Sequence, residues 1–340
     1  MNAPLQDRAA AALGSLRSAG TVAAGAEVEG FRQLQGGWSR HSFVLSVGEE
    51  GASRDFVIRV RPQGALLDSD LRQEFLTYRL LGQHGIRAPA VYSLEEGEDN
   101  PFGGPFFTMA MAPGEAPNVW RREEREALER NWSGPRSLAQ DLVQSLAAIH
   151  AIPVAAVAEV LPRRGFTETV AHWRGVQEEM ALVADPVIGE AFEWLQARDI
   201  PEVEPALVHG DYRLGNCLIR DGRITAILDW ELAYCGDPRF DLGYVDLDYH
   251  AGKFTRPGSP LLNAVAEREW FMGEYQRLTG RPFDADVVRA YSVLGALILL
   301  AILTTAVRMY SDERTSDIRM MWSRFAIPGL RQDITRLLGW

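Results

Sequence analysis

Lysine is almost missing from this chain. Among 340 residues the only one is Lys253, so nearly all of the 35 basic side chains are arginines. Any fixed positive group that meets an anion elsewhere is therefore a planar guanidinium fork rather than an ammonium. Cysteine is scarce as well. Cys217 and Cys235 cannot build a disulfide framework and lie in no Cys-x-x-Cys or histidine-rich setting, so both read as small core residues in a reducing, cytoplasmic compartment. A basic excess is lacking: 46 acidic residues give a net charge of −11 with both signs mixed along the chain, which argues against a nucleic-acid groove. Repeats and low-complexity linkers are absent from the sequence. The first residues carry acid as well as base and lack an apolar stretch of the kind a signal peptide needs, so 1–26 is expected to be a leader or a short amphipathic helix.

One long uncharged run stands out, residues 290–307, AYSVLGALILLAILTTAV. Its length is just enough for a membrane span. Tyr291, Ser292, Thr304 and Thr305 interrupt it, and no one-sided basic flank orients it, so a buried core helix is expected and no membrane span.

What the chain does contain is concentrated between 206 and 243. Asp211 follows the apolar Ala206-Leu207-Val208, and Asn216 comes five positions later. Residues 217–219 and 224–228 read as two strands joined at Asp221-Gly222, a strong hairpin pair, with Asp229 at the end of the second. A hairpin brings Asn216 and Asp229 to the same end. One carboxylate able to orient a hydroxyl and take its proton, beside one carboxylate and one amide oxygen able to share a magnesium ion, is the set that phosphoryl transfer requires. Asp211 suits the first place; Asn216 and Asp229 suit the other two.

The run His209-Gly210-Asp211-Tyr212-Arg213-Leu214-Gly215-Asn216, then Ile227-Leu228-Asp229-Trp230, then Gly236-Asp237-Pro238-Arg239-Phe240-Asp241-Leu242-Gly243, resembles three ordered motifs of the aminoglycoside phosphotransferase (APH) family, relatives of protein kinases. Weaker similarity extends from about residue 27 to about 310. The resemblance implies an α+β, two-lobed protein-kinase-like fold, with a small β-rich N-lobe over 27–111 and a larger, mostly helical C-lobe over 112–340. It implies ATP, with GTP open, and magnesium as cofactors, and a small-molecule hydroxyl as acceptor. Arg213, two places after Asp211, is expected to stabilise the transferring phosphoryl group. His209 and His150 are expected to be architectural, and Asp237 and Asp241 to brace the loop and cap the next helix.

In the N-terminal part, residues 27–35, 42–47 and 56–60 have strand-like apolar content separated by Gly36-Gly37 and by polar residues 48–55. Ser39, Arg40 and His41 fall where the resemblance places the loop over the nucleotide phosphates, although this is not a G-x-G-x-x-G. The lysine that such folds use to hold the α- and β-phosphates has no counterpart, and Arg59 in Val57-Ile58-Arg59-Val60-Arg61-Pro62 stands in its place. Period two puts Arg61 on the same face, so it remains a competitor. A helix is expected over 68–81, capped by Asp68, with Glu74 as the ion-pair partner. Ala110 and Met111 occupy the hinge, where adenine would meet backbone groups.

For the acceptor, three classes stay open. Six arginines between 308 and 336 and the VIRVRPQG segment make the chain similar to APH-like phosphotransferases of acyl-CoA metabolism, which implies a hydroxyacyl-CoA. An aminoglycoside or macrolide kinase is the second reading, and a nucleotide-binding regulator without turnover is the third.

Overall fold

The computed structural model describes all residues except 1–2, 35–38, 63, 68, 133–137, 253–257 and 283. The chain forms two compact units, 1–113 and 114–340.

The first unit opens with helix α1 (Leu5–Ser18), then strands β1 (Glu27–Gln33), β2 (His41–Glu49) and β3 (Ala52–Val60), helix α2 (Leu71–Gln83), and strands β4 (Val91–Glu95) and β5 (Phe106–Ala110). The five strands make one antiparallel sheet in the order β1-β2-β3-β5-β4. β2 and β3 run further into the polar stretch 48–55 than hydrophobicity indicates, because Glu50 and Gly51 both take positive φ, 50° and 81°, and close a two-residue hairpin. One face buries Phe43, Leu45, Val47, Phe56, Ile58, Val60 and Phe106 against Ala9, Ala12, Leu13 and Leu16 of α1. Residues 5–18 thus form a short helix, one of the two forms expected for this segment, and contribute to this unit's core. The other face carries α2, whose Phe75 meets the Phe107 ring edge-on at 5.8 Å. The cap of α2 is Asp70, whose carboxylate accepts from the Arg72 amide; Asp68 lies outside the described residues.

The second unit is mostly helical: α3 (Arg122–Arg130), α4 (Leu138–His150), α5 (Val154–Ala158), α6 (Phe166–Met180) and α7 (Pro186–Gln196) lead to β6 (Ala206–Val208), the hairpin β7 (Cys217–Arg220) and β8 (Arg223–Ile227), and β9 (Tyr234–Gly236). Then come α8 (Arg239–Val245), α9 (Arg268–Thr279), α10 (Ala285–Ser311), α11 (Ile318–Trp322) and α12 (Ile327–Leu338). α10 contains the long apolar run, and 78% of its most apolar window is buried inside the protein, as a central core helix requires. It packs against α8 with almost no gap. A Cβ added at Gly243 would stand 2.5 Å from the Ser292 amide nitrogen, so only glycine lets the two backbones approach this closely. That contact fixes α8, and α8 in turn holds the loop described next.

Candidate active site

The hairpin β7–β8 turns at Asp221 and Gly222, with φ of 53° and 72°, and pairs Cys217 with Ile227. One further bond extends it: the Leu228 amide donates to the Asn216 carbonyl at 2.8 Å. Asn216 and the residue before Asp229 are thus neighbours. Asp229 itself is left-handed, φ 62° and ψ 59°, a conformation that costs a non-glycine residue about 1–3 kcal/mol and persists where the surroundings impose it.

The loop from 209 to 216 is held from four sides. Asp241 on α8 accepts from the His209 amide at 2.8 Å, from the Gly210 amide at 3.0 Å and from His150 Nε2 at 3.1 Å. His150 Nδ1 in turn faces the Tyr275 hydroxyl at 2.8 Å, so both of its ring nitrogens are used in bracing. The Tyr212 hydroxyl donates to the Leu142 carbonyl of α4 at 2.7 Å. The fourth hold comes from Asn263, whose Oδ1 accepts from the Leu214 amide at 2.8 Å while its Nδ2 donates to the Val245 carbonyl at 2.7 Å.

His209 fastens the loop to the hairpin. Its Nδ1 accepts from the Asp211 amide at 3.1 Å, its Nε2 donates to the Leu228 carbonyl at 3.0 Å, and its ring lies 4.3 Å from that of Trp230. Full burial pushes the imidazole below its ordinary range, and a ring that accepts at one nitrogen and donates at the other is neutral. It is architectural, not an acid or base.

Asp211 receives the Arg213 Nε on Oδ1 at 3.1 Å and the Asn216 Nδ2 on Oδ2 at 2.7 Å. Burial pushes its carboxyl up, but the Arg213 guanidinium and the Tyr244 hydroxyl beside it outweigh that and hold it below the usual carboxylate range. The carboxylate is therefore ionised and partly open to solvent. Arg213 is kept charged by Asp211 against its own burial. The guanidinium occupies the space where a side chain at position 215 would go: a Cβ on Gly215 would collide with Arg213 Nη1. Asn216 is 3% exposed, its Nδ2 is engaged by Asp211, and its Oδ1 makes no hydrogen bond among the described residues. Asn216 and Asp229 thus fit a hard cation with one amide oxygen and one carboxylate. Among the described residues no group of three His, Cys, Asp or Glu forms a cage, so such a cation would complete its shell with oxygens of a ligand and water.

The first unit places its own charged cluster. Arg59 Nη2 donates to Glu74 Oε1 at 2.8 Å, with Glu74 1% exposed, so Arg59 and not Arg61 faces the helix glutamate. Arg61 lies beyond the strand end and lines a cavity of about 670 Å³ with Asp70, Arg72 and Glu96. Arg40 is 2% exposed, with Nε 3.2 Å from Glu74 Oε2 and Nη2 2.7 Å from Ser69 Oγ. Glu74 is shared by two arginines. Ser39 is buried, while His41 begins β2 as an exposed residue opposite Val60. Gly36, Gly37 and Trp38 fall outside the described residues. At the end of β5 the Ala110 amide donates to the Ala90 carbonyl at 2.8 Å, so that donor is not available to a base; the Met111 amide makes a longer 3.4 Å bond to the Asp55 carbonyl.

Sequence reasoning missed Asn263, Tyr244 and His250. Tyr244 directly follows the third motif, which was a signal; Asn263 sits in an irregular segment far along the chain and carried none. The arginines from 308 onward are also less free than their count indicates. Arg308 pairs with Asp312, Arg319 with Asp317, Arg331 with Asp185, and Arg336 with Asp248.

The chain is similar to several known proteins. The model of the Phosphotransferase enzyme family (APH) matches residues 30–281. Acyl-CoA dehydrogenase family member 10 of Mus musculus is 28% identical over 211 residues, covering 58% of this chain and 19% of that protein. Family member 11 of Rattus norvegicus is 27% identical over 270 residues, covering 76% and 32%. The chain thus spans a third or less of the length of these relatives. Hygromycin-B 4-O-kinase of Escherichia coli is 33% identical over 130 residues, 34% of this chain and 37% of that one. A solved structure from Ralstonia eutropha superposes with a TM-score of 0.73 at 21% identity over 99% of both chains. The aminoglycoside phosphotransferase APH(4)-Ia in ternary complex with ADP and hygromycin B superposes with a TM-score of 0.55 at 20% identity, over 95% of this chain and 98% of that one.

Proposed function

The chain belongs to the APH phosphotransferase enzyme family and is a small-molecule kinase, and from that premise we propose that it transfers the γ-phosphoryl group of ATP, with magnesium, to a hydroxyl of an acyl-CoA thioester. The Asp211 carboxylate accepts the proton of the acceptor hydroxyl as its oxygen forms the new bond to phosphorus and the bond to the β-phosphate oxygen breaks. Arg213, fixed against Asp211, supplies positive charge where the equatorial oxygens develop negative charge. Magnesium would supply charge neutralisation of the phosphates when held by Asn216 Oδ1 and Asp229. Arg59, oriented by Glu74, would hold the α- and β-phosphates.

The observation that carries the acceptor class is the pairing of the carboxylates near the loop. A polycationic acceptor needs unneutralised acids, yet Asp246 is held by Arg268 at 2.7 Å and Asp248 by Arg336 at 2.5 Å. Asp211 itself is flanked by Arg213, Tyr244 and His250. An uncharged hydroxylated chain suits that setting. The relatives support the same class, because in each the matching region is joined in one polypeptide to a longer remainder of a protein named for acyl-CoA dehydrogenation. The similarity to the hygromycin-B kinase favours an antibiotic acceptor as the second reading. Acceptor-dependent ADP release, measured across hydroxyacyl-CoAs, aminoglycosides and macrolides, decides between them: release with an antibiotic and none with any hydroxyacyl-CoA sinks the thioester reading.

A further inference from the structure

Between α8 and α9 the chain makes a tight turn over 262–266, closed on itself by backbone bonds. The Leu262 amide donates to the Ala266 carbonyl at 2.8 Å, and the Ala266 and Val265 amides donate to the Leu262 carbonyl at 3.2 Å and 3.0 Å. Two successive residues of this turn are left-handed, Asn263 with φ 48° and Ala264 with φ 63°. Asparagine enters that region at little cost, but alanine does not, and such conformations persist where the surroundings impose them and collect at functional sites. A turn asparagine ordinarily bonds its own backbone two residues on. Asn263 instead engages both of its amide atoms with other elements, across 49 residues to Leu214 and 18 to Val245.

Each of those bonds completes a chain end that is otherwise unfinished. The Leu214 amide opens the 3-10 turn Leu214–Asn216, whose N-cap residue Arg213 makes no side-chain cap, so Asn263 Oδ1 supplies the missing acceptor. Val245 is the last residue of α8, where helix carbonyls lack partners within the helix, and Asn263 Nδ2 supplies a donor. The same helix holds the other end of the loop, because Asp241 accepts from the His209 and Gly210 amides. α8 thus grips the loop directly at 209–210 and through Asn263 at 214. Asp211 and Arg213 lie between the two grips, and Asn216 ends the turn that the second one starts. At 1% exposure, Asn263 is shielded from water that could replace either bond.

Resting on the phosphotransferase mechanism above, we propose that Asn263 is a positioning residue for phosphoryl transfer: it sets the 214–216 turn against α8 so that Arg213 and Asn216 keep their contacts with Asp211. The left-handed backbone of its own turn aims the amide at both partners. Its action runs through the Leu214 amide rather than through contact with nucleotide or acceptor.

The test compares Asn263→Gly, which tolerates the left-handed backbone and removes both bonds, with Ala264→Gly, which eases the same backbone and keeps both bonds. Asp211→Asn serves as the reference for the reaction itself. The readouts are calorimetric binding of AMP-PNP at rising magnesium, hydrogen exchange of residues 209–216, and kcat for acceptor-dependent ADP release. Asn263→Gly is expected to raise the magnesium concentration for half-maximal AMP-PNP binding about 10- to 100-fold, to lower kcat by a similar factor, and to speed exchange in 209–216 while thermal melting stays cooperative. Ala264→Gly is expected to match the wild type in all three. Cooperative melting with wild-type magnesium dependence and kcat in Asn263→Gly overturns the positioning role and leaves the kinase mechanism standing. Equal losses in Ala264→Gly also overturn it, because they assign the effect to the backbone of the turn. If Asn263→Gly does not fold, Asn263→Asp carries the test: it keeps the acceptor for Leu214 and sets an oxygen against the Val245 carbonyl, so kcat is expected to fall about 10-fold, and wild-type kinetics overturns the proposal. Unchanged turnover in Asp211→Asn instead removes the base, and the proposal then falls together with that mechanism.

Discussion

Asn216 and Asp211 are joined twice: the Asn216 Nδ2 donates to the Asp211 carboxylate at 2.7 Å and to the Asp211 carbonyl at 2.9 Å. One amide therefore fixes the base's side chain and backbone together, and its nitrogen is used while its oxygen makes no hydrogen bond among the described residues. The two residues assigned to proton transfer and to cation binding form one rigid piece.

That coupling separates two variants. Asp211→Asn should lower kcat by about 10² to 10⁴ while nucleotide binding, followed by fluorescence titration, stays nearly intact. Asn216→Ala should damage both, because it removes a cation ligand and frees the base. Unchanged turnover in Asp211→Asn would remove Asp211 from the role of base.

The site was legible where spacing along the chain is also spacing in the fold. The Asp221-Gly222 turn fixes the hairpin register, and the register brings Asn216 to the end of the strand before Asp229. Arg59 and Glu74 were legible as a pair, with Arg61 left as a competitor. Which arginine faced the helix depended on strand position, and Arg40, the residue before β2, joins Glu74 across a gap in sequence that no local pattern encodes. Asn263 was illegible for the same reason: its two hydrogen bonds tie the loop to α8, and both depend on tertiary packing. The sheet's reach through residues 48–55 was missed because backbone pairing and a positive-φ turn, not hydrophobicity, hold that end together. For the arginines from 308 onward, the partners of Arg308 and Arg319 are near in sequence, whereas Asp185 and Asp248, which pair with Arg331 and Arg336, are distant and left no local signal.

Glu74 holds two buried guanidinium groups, so removing it leaves two charges without their acid. Glu74→Ala is expected to destabilise the protein by about 3–5 kcal/mol in chemical denaturation. Arg59→Ala should raise the nucleotide KM, Arg61→Ala should do much less, and the Arg59→Ala/Glu74→Ala double variant should be strongly non-additive. A larger nucleotide defect at Arg61 than at Arg59 would show that the Arg59–Glu74 pair is structural only.

His209 and His250 are both held neutral in the folded protein, with pKa pushed below the ordinary value, to about 3 for His250. An unfolded histidine binds its proton near pH 6.5, so below that pH the unfolded state takes up protons that the folded state refuses. Stability is therefore full above about pH 6.5 and falls as pH drops toward 3 on account of His250, by about 1.4 kcal/mol per pH unit, while His209, also held below its ordinary value, adds to the decline in the same direction. Thermal melts between pH 7.5 and 4.5 should show the decline, and His250→Gln should make it shallower. A slope unaffected by His250→Gln would show that His250 takes up its proton in the folded state.

Gly215 tests whether Arg213 acts in transfer or merely neutralises Asp211. A methyl at position 215 collides with Arg213 Nη1, the far end of a flexible side chain, so the fold can absorb Gly215→Ala by swinging the guanidinium aside. The Asn216–Asp211 contact does not involve that space and should survive. If Arg213 stabilises the transferring phosphoryl group, the displacement should lower kcat by about 10- to 100-fold with the acceptor and nucleotide KM little changed. If it serves only as a counter-charge, moving it lets burial raise the Asp211 carboxyl, and the loss should then be recovered at higher pH. The kcat–pH profile of Gly215→Ala distinguishes the two: a uniform drop across pH 6 to 9 supports a role in transfer, and recovery toward the wild-type rate on the alkaline side assigns Arg213 to positioning alone.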